Sequence, residues 1–246
     1  MNLKLRSPYC LTLCILLLSI LLSIGCAHTG DAAHGAAPDP HRSTSSEKHA
    51  QSPIDIPEQS AAPAAPHRIA MHYHETAEHI IHREHTIELD VDPDDDSGID
   101  FDGQTYVLDQ FHFHTPSEHL IGGHRYPVEL HLVHRSSQNE VLVVGILIAM
   151  GEESKFLEQI LRDTPESLGS RDGDTSLDIS KLFPEESHFY SYRGSFTTPP
   201  YTEGVEWLVL RSHPEASAEQ IVRLLILEGG NARDVQKKND RSVERF

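Results

Sequence analysis

The residues best suited to chemistry lie in Gln110-Phe111-His112-Phe113-His114. On an extended strand, side chains two apart point to the same face. His112 and His114 therefore project together, while Phe111 and Phe113 turn the other way into a core. A third imidazole stands in Glu129-Leu130-His131-Leu132-Val133. There Leu130 and Leu132 share one face, and Glu129 and His131 share the other. If the two strands are neighbours, three imidazoles converge on one sheet surface. Three neutral nitrogens with a fourth position open describe a catalytic zinc site rather than a structural one. Polar groups beside the histidines suit that reading, because ligating imidazoles donate their other N–H to a carboxylate or carbonyl. Simpler readings stay open at this level. A His-x-His pair on a strand is a weak signal. His131 also suits a satisfied buried histidine, and Glu118, four residues after His114, a solvated loop charge. The chain has 18 histidines, a high count, and many of them suit an ordinary surface.

The elements that must position these groups are mostly strands. Short β-type runs recur at 86–91, 106–114, 128–134, 141–149 and 205–210. Turn signals such as Gly122-Gly123 and Asp172-Gly173 separate them. The spacing predicts two helices. One covers about 152–161, with Phe156, Leu157, Ile160 and Leu161 on one face. The other opens at Ser217, where Ser217 and Gln220 form a capping-box pattern ahead of Ile221, Leu224 and Leu225. The expected class is mainly β (α+β): a single domain around a large twisted, mostly antiparallel sheet with short peripheral helices.

Composition bounds the function. The 246 residues suit one domain plus extra segments. Charged residues make up 24% and hydrophobic residues 38%, which is a globular balance. A formal net charge of −18 argues against nucleic acid, whose phosphates require Lys and Arg. At the N-terminus, Lys4 and Arg6 precede an apolar run from Leu11 to Ile24. That run is short for a membrane span and typical of a signal peptide. It ends in Leu22-Ser23-Ile24-Gly25-Cys26, which resembles a bacterial lipoprotein box with Ser23 at a usually aliphatic position. An ordinary signal peptide cut nearby and an uncleaved anchor are the alternatives. Cleavage before Cys26 removes Lys4 and Arg6, which takes the charge from −18 to −20, and leaves Cys26 as the sole cysteine. No intramolecular disulfide is then available. The stretch after Cys26 is rich in Ala, Gly, Ser, Pro and His and reads as a flexible tether. The expected organisation is a signal peptide over 1–25, a tether over 26–50 and a folded domain over 51–246. Export to the periplasm or cell envelope follows, with membrane attachment only through lipid at Cys26.

Longer stretches carry a resemblance. Residues 110–119, QFHFHTPSEH, and 126–134, YPVELHLVH, resemble the signature of alpha carbonic anhydrases, especially bacterial ones. Gln51-Ser52-Pro53-Ile54-Asp55-Ile56 resembles that family's opening motif. Residues 192–200, YRGSFTTPP, resemble its active-site loop, and Asn231-Ala232-Arg233-Asp234-Val235-Gln236 its C-terminal motif. The likeness runs in order from about Gln51 to the C-terminus.

The resemblance implies a zinc enzyme that hydrates carbon dioxide reversibly to bicarbonate and a proton, through a zinc-bound hydroxide. By likeness, His112, His114 and His131 are the zinc ligands. Gln110 and Glu129 hold His112 and His131, and the backbone carbonyl of Asn231 holds His114. Thr197 accepts a hydrogen bond from the hydroxide and donates its own hydroxyl hydrogen bond to Glu118. Thr198 contacts bicarbonate, and Val133, Val143, Val205 and Trp207 form the apolar wall for carbon dioxide. His85 aligns with the family's proton shuttle. Its preceding pair, Arg83-Glu84, departs from the usual Asn followed by Gly or Asn, and His82 is a rival carrier. Other departures are a tether in place of the aromatic-rich segment before the opening motif, Phe196 for a leucine at the pocket wall, and Asp234 for a proline. Bacterial members often have a disulfide joining the opening region to the loop after the two prolines. Here Tyr201 stands at one of those positions, and no partner cysteine lies near Gln51. Two other classes fit fewer residues. A cupin would use Glu118 as a fourth ligand but needs a second motif that is missing from the sequence. A catalytically silent relative would be a binding or zinc-storage module on the cell envelope.

Overall fold

The computed structural model describes residues 49–58, 62–63, 67–92 and 95–246. The expected signal peptide, Cys26 and the tether up to residue 48 lie outside the described residues. Contacts divide the chain into Met1–Ser45 and Ser46–Phe246. The folded unit is already engaged at its first described residues. The Ala50 N–H donates to Glu203 Oε1 (2.9 Å), and Asn239 Nδ2 donates to the His49 carbonyl (2.8 Å).

Among the described residues, a 13-stranded sheet forms the body of the unit. Its main strands are β1 (Glu75–Arg83), β2 (Thr86–Asp90), β3 (Gln104–His114), β4 (Val128–Ser136), β5 (Val141–Met150), β6 (Gly169–Asp178), β7 (Phe189–Ser195) and β8 (Glu203–Leu210). They lie in the order β6-β1-β2-β3-β4-β5-β8-β7. Neighbours along this path are antiparallel except β5 and β8, which run parallel. The class expected from sequence is the one observed, with that one parallel pair among the main strands.

Register places two different cores on the two faces. In β3, Phe111 and Phe113 are buried, as are Leu130 and Leu132 in β4, Leu142 and Val144 in β5 and Leu208 in β8. Helix α1 (Lys155–Asp163) adds Leu157, Ile160 and Leu161 to this cluster, and α2 (Ala218–Glu228) adds Ile221 and Leu224. Both helices therefore cover the face opposite the histidines. On the other face a second cluster joins Val133, Val143, Val205, Trp207 and Val209. The alternation of strand side chains produces this division.

The start of α2 agrees with its sequence signal, whereas α1 begins at Lys155, three residues after the expected 152, behind a cap at Ser154. Ser154 caps α1 through a bond from Leu157 N, and Ser217 with Gln220 closes a full capping box on α2. Of these eight main strands, three were not anticipated. β1 carries four histidine and acidic residues, and β7 interleaves polar residues, so neither presents a clean apolar period. β6 contains Asp172-Gly173, read from sequence as a turn. There the strand bulges instead, with its register to β1 shifting between Asp172 and Ser176. No helix among the described residues is long and apolar enough to cross a membrane.

Candidate metal centre

β3 and β4 pair antiparallel with His112 opposite His131 and His114 opposite Glu129. Because His112 and His114 are two apart, this register brings three imidazoles onto one patch of sheet. Their ring centroids lie 4.6–5.3 Å apart. One nitrogen from each falls within 4.8 Å of the others. Removal from water drives all three imidazoles toward their neutral form, the form that binds metal.

The donor set fits a zinc ion. His112 Nδ1 meets Gln110 Oε1 (2.8 Å), and His131 Nε2 meets Glu129 Oε1 (2.9 Å). With those atoms engaged as N–H donors, His112 Nε2 and His131 Nδ1 remain as lone-pair donors. His114 is buried, and neither of its ring nitrogens has a hydrogen-bond partner. A buried unpaired nitrogen costs about 1–3 kcal/mol, which coordination would recover. The Asn231 backbone carbonyl acts on His114 as a hydrogen-bond acceptor, the partner the resemblance implies, although the contact falls outside strict hydrogen-bond geometry. Asn231 also uses its side chain. Oδ1 accepts from Thr115 N (2.9 Å), and Nδ2 donates to the carbonyls of Phe113 (3.0 Å) and His85 (2.8 Å).

Glu129 is fully buried and satisfied by four donors. Oε1 accepts from His131 and from His119 Nδ1 (2.6 Å), and Oε2 accepts from the N–H groups of Glu118 and His119, both at 2.8 Å. Burial alone would raise this carboxyl, but His119 and His131 hold it well below the usual range. Gly145 leaves it room, since a Cβ there would stand 3.0 Å from Oε1. With Nδ1 donating, His119 Nε2 accepts from the Tyr192 hydroxyl (2.7 Å), which in turn meets Ser52 Oγ (2.8 Å). His119, Tyr192 and Ser52 lie within the quoted motifs, yet nothing in their spacing reveals this chain; it appears only once the strands are paired.

The histidines form the floor of a cleft of about 470 Å³. Val133, Val143 and Trp207 line one side, and Thr197, Thr198 and Phe196 another. The side formed by Val133, Val143 and Trp207 follows from register: Gln110, Val133, Val143 and Trp207 occupy one rung across β3, β4, β5 and β8, next to the rung of His112, His131 and Gly145. Val205 belongs to the same apolar cluster but is buried and does not line the cleft. Glu118 is buried, and burial pushes its carboxyl up to about 8 against the opposing pull of the Arg233 backbone N–H. Its Oε1 accepts from that N–H (2.8 Å). Its Oε2 has no partner and lies 3.6 Å from His114 Nε2. Thr197 is close enough to favour the charged carboxylate, although no bond to Oε2 closes. His85 is exposed and lines the cleft mouth with Arg83, Glu84 and Glu88. His82 is buried outside the cleft, its ring nitrogens facing the carbonyls of Pro165 (2.9 Å) and Leu227 (3.4 Å).

A large β sheet with an open three-nitrogen centre on one face defines a class of metal-dependent enzymes, and comparison with known proteins narrows it. The model for eukaryotic-type carbonic anhydrases matches residues 39–246. A carbonic anhydrase of Nostoc sp. is 38% identical over 177 residues, 71% of this chain and 66% of that protein. One from Pectobacterium carotovorum is 33% identical over 87% of both chains. The solved alpha carbonic anhydrase of Thermovibrio ammonificans, in complex with the inhibitor sulfanilamide, superposes with a TM-score of 0.76. It is 37% identical, over 80% of this chain and 87% of its own. The chain belongs to the alpha, or eukaryotic-type, carbonic anhydrase family. The reaction of that family is the reversible hydration of carbon dioxide to bicarbonate and a proton, a zinc-dependent lyase reaction. The open sheet and the family match remove the cupin reading.

His131→Ala should abolish most zinc binding, and Glu129→Gln should weaken it about 10–100-fold by freeing the His131 ring. Equilibrium dialysis with metal analysis checks both, and full zinc occupancy in His131→Ala would overturn the ligand assignment.

Proposed function

We propose that this chain hydrates carbon dioxide reversibly at His112, His114 and His131, in the cell envelope. The observation that carries the reading is the convergence of three imidazoles, one with both nitrogens unpartnered, at the floor of a half-apolar cleft. Bound zinc supplies an activated water as nucleophile near neutral pH, the behaviour for which carbonic anhydrase is the standard example.

The chain's own residues do the rest. Val133, Val143 and Trp207 offer an apolar surface on which carbon dioxide rests without competing for polar groups. Thr197 accepts a hydrogen bond from the attacking oxygen and donates its own hydroxyl hydrogen bond to Glu118. The unpartnered Glu118 Oε2 is the acceptor this requires. A cation held on the histidines favours the ionised Glu118, so Thr197 has one direction in which to donate. The attacking lone pair is thereby turned toward carbon. Thr198, exposed in the cleft, suits contact with departing bicarbonate.

A proton must then leave. His85 is in the cleft and exposed, whereas His82 is buried against carbonyls, so His85 is the carrier. Histidine is the side chain best suited to passing protons near neutrality. The lipoprotein-like box at Cys26 and the polar stretch after it support an exported, lipid-tethered enzyme.

Carbon dioxide hydration by the purified, zinc-loaded domain tests the activity, and its absence would leave a silent zinc-binding module. Thr197→Ala should keep zinc but lower kcat/KM by about 10²–10³-fold, the usual loss for one positioned hydrogen bond. His85→Ala should lower kcat in weak buffer, spare kcat/KM, and be rescued by added imidazole; equal loss of both parameters would refute the carrier role. Cys26→Ser should abolish incorporation of a fatty-acid label and release the protein from the membrane fraction. Continued labelling would sink the anchor.

A further inference from the structure

Arg233 touches three parts of the molecule at once. Its backbone N–H holds Glu118 Oε1 at 2.8 Å. Its guanidinium donates from Nη1 to the Ser52 carbonyl (2.5 Å) and from Nη2 to Gln51 Oε1 (3.0 Å). The same guanidinium lies 3.7 Å from the centroid of the Tyr201 ring, a close stack of plane on ring.

Tyr201 closes the loop that carries Thr197 and Thr198. Its N–H donates to the Thr198 carbonyl (2.8 Å), and Phe196 N–H donates to the Thr202 carbonyl (3.0 Å). Its backbone has φ +61°, a region that bulky side chains seldom adopt without outside support. That support is visible. Gln51 Nε2 donates to the Tyr201 carbonyl (3.1 Å) and to Glu203 Oε1 (2.9 Å), while Arg233 covers the ring. Neither Arg233 nor Tyr201 lines the cleft.

We propose that Arg233 and Tyr201 are positioning residues for the hydration step, one holding Glu118 and both holding the Thr197 loop, so that a single side-chain stack sets the Thr197–Glu118 distance. The backbone of Arg233 fixes the acceptor carboxylate. Its side chain fixes the loop that presents the donor hydroxyl. Gln51 and Ser52 complete the clamp from the opening segment. The inference rests on the reading of Thr197 given above.

The test uses zinc-loaded Tyr201→Leu, Tyr201→Phe and Arg233→Lys. Leucine removes the ring, phenylalanine keeps it, and lysine keeps the charge without the planar stack. Displacing a reacting group by about 1 Å can cost roughly 10²-fold, so a partly loosened loop should cost about tenfold in kcat/KM. Tyr201→Leu and Arg233→Lys should show that loss with zinc stoichiometry unchanged, and Tyr201→Phe should match the parent. In a Thr197→Ala background the Tyr201→Leu loss should vanish, because the group being positioned is gone. A lower Tm with unchanged kcat/KM per bound zinc would overturn the proposal, as would full additivity with Thr197→Ala. Full activity of Thr197→Ala itself would bring down the Thr197 reading and this inference together. A slow Thr197→Ala beside a fully active Tyr201→Leu would bring down this inference alone.

Discussion

His131 faces His112 because β3 and β4 pair in one register, and the rest of the site inherits that alignment. A slip by one residue would turn His131 and Glu129 to the far face and put Leu130 and Leu132 in the cleft. The two apolar clusters oppose such a slip. Phe111, Phe113, Leu130 and Leu132 are buried together under the helices, and the opposite face is filled by Val133, Val143 and Trp207. The cost of exposing the first set is shared over many side chains, so the metal centre is held by a core it does not touch. β3 bends to the same end. Its register with β4 shifts between Val133 and His134, which ends the metal-facing alternation just beyond the apolar rung.

Burial then decides the charge states. Three imidazoles removed from water are held neutral, and Glu129 beside them is held ionised by four donors. A carboxylate in that position keeps the His131 ring from rotating and makes its free nitrogen a better donor. Glu118, barely a few ångströms away, has one oxygen satisfied and one open. The two glutamates therefore divide the work. One holds the His131 ring, and the other keeps an oxygen open.

The histidine strands were legible in the sequence because alternation is the strongest signal a half-buried strand gives, and Phe111, Phe113, Leu130 and Leu132 obey it. Ser217 and Gln220 likewise announced α2. β1 and β7 were not legible, since polar residues interrupt their pattern and tertiary pairing decides their conformation. The His119–Tyr192–Ser52 chain joins residues 67 or more positions apart, a closeness that pattern and spacing do not encode. His82 and His85 looked equivalent as residue types. The hairpin separates them, turning His82 into the protein and His85 into the cleft. The Asn231 side chain, which ties the His85 turn to β3, was likewise visible only in three dimensions.

The three cysteines of the chain all precede residue 27. The folded domain therefore joins its opening segment to the loop of Thr197 and Thr198 with amides, carbonyls, a carboxylate and one stacked guanidinium. Such a closure has no thiol chemistry in it. Reductants find no bond to cut, oxidants no pair to form, and no isomerase is needed to sort pairings. The joint is made and remade by folding alone, so its fidelity depends on the strand register and not on the redox state of the compartment where the chain assembles.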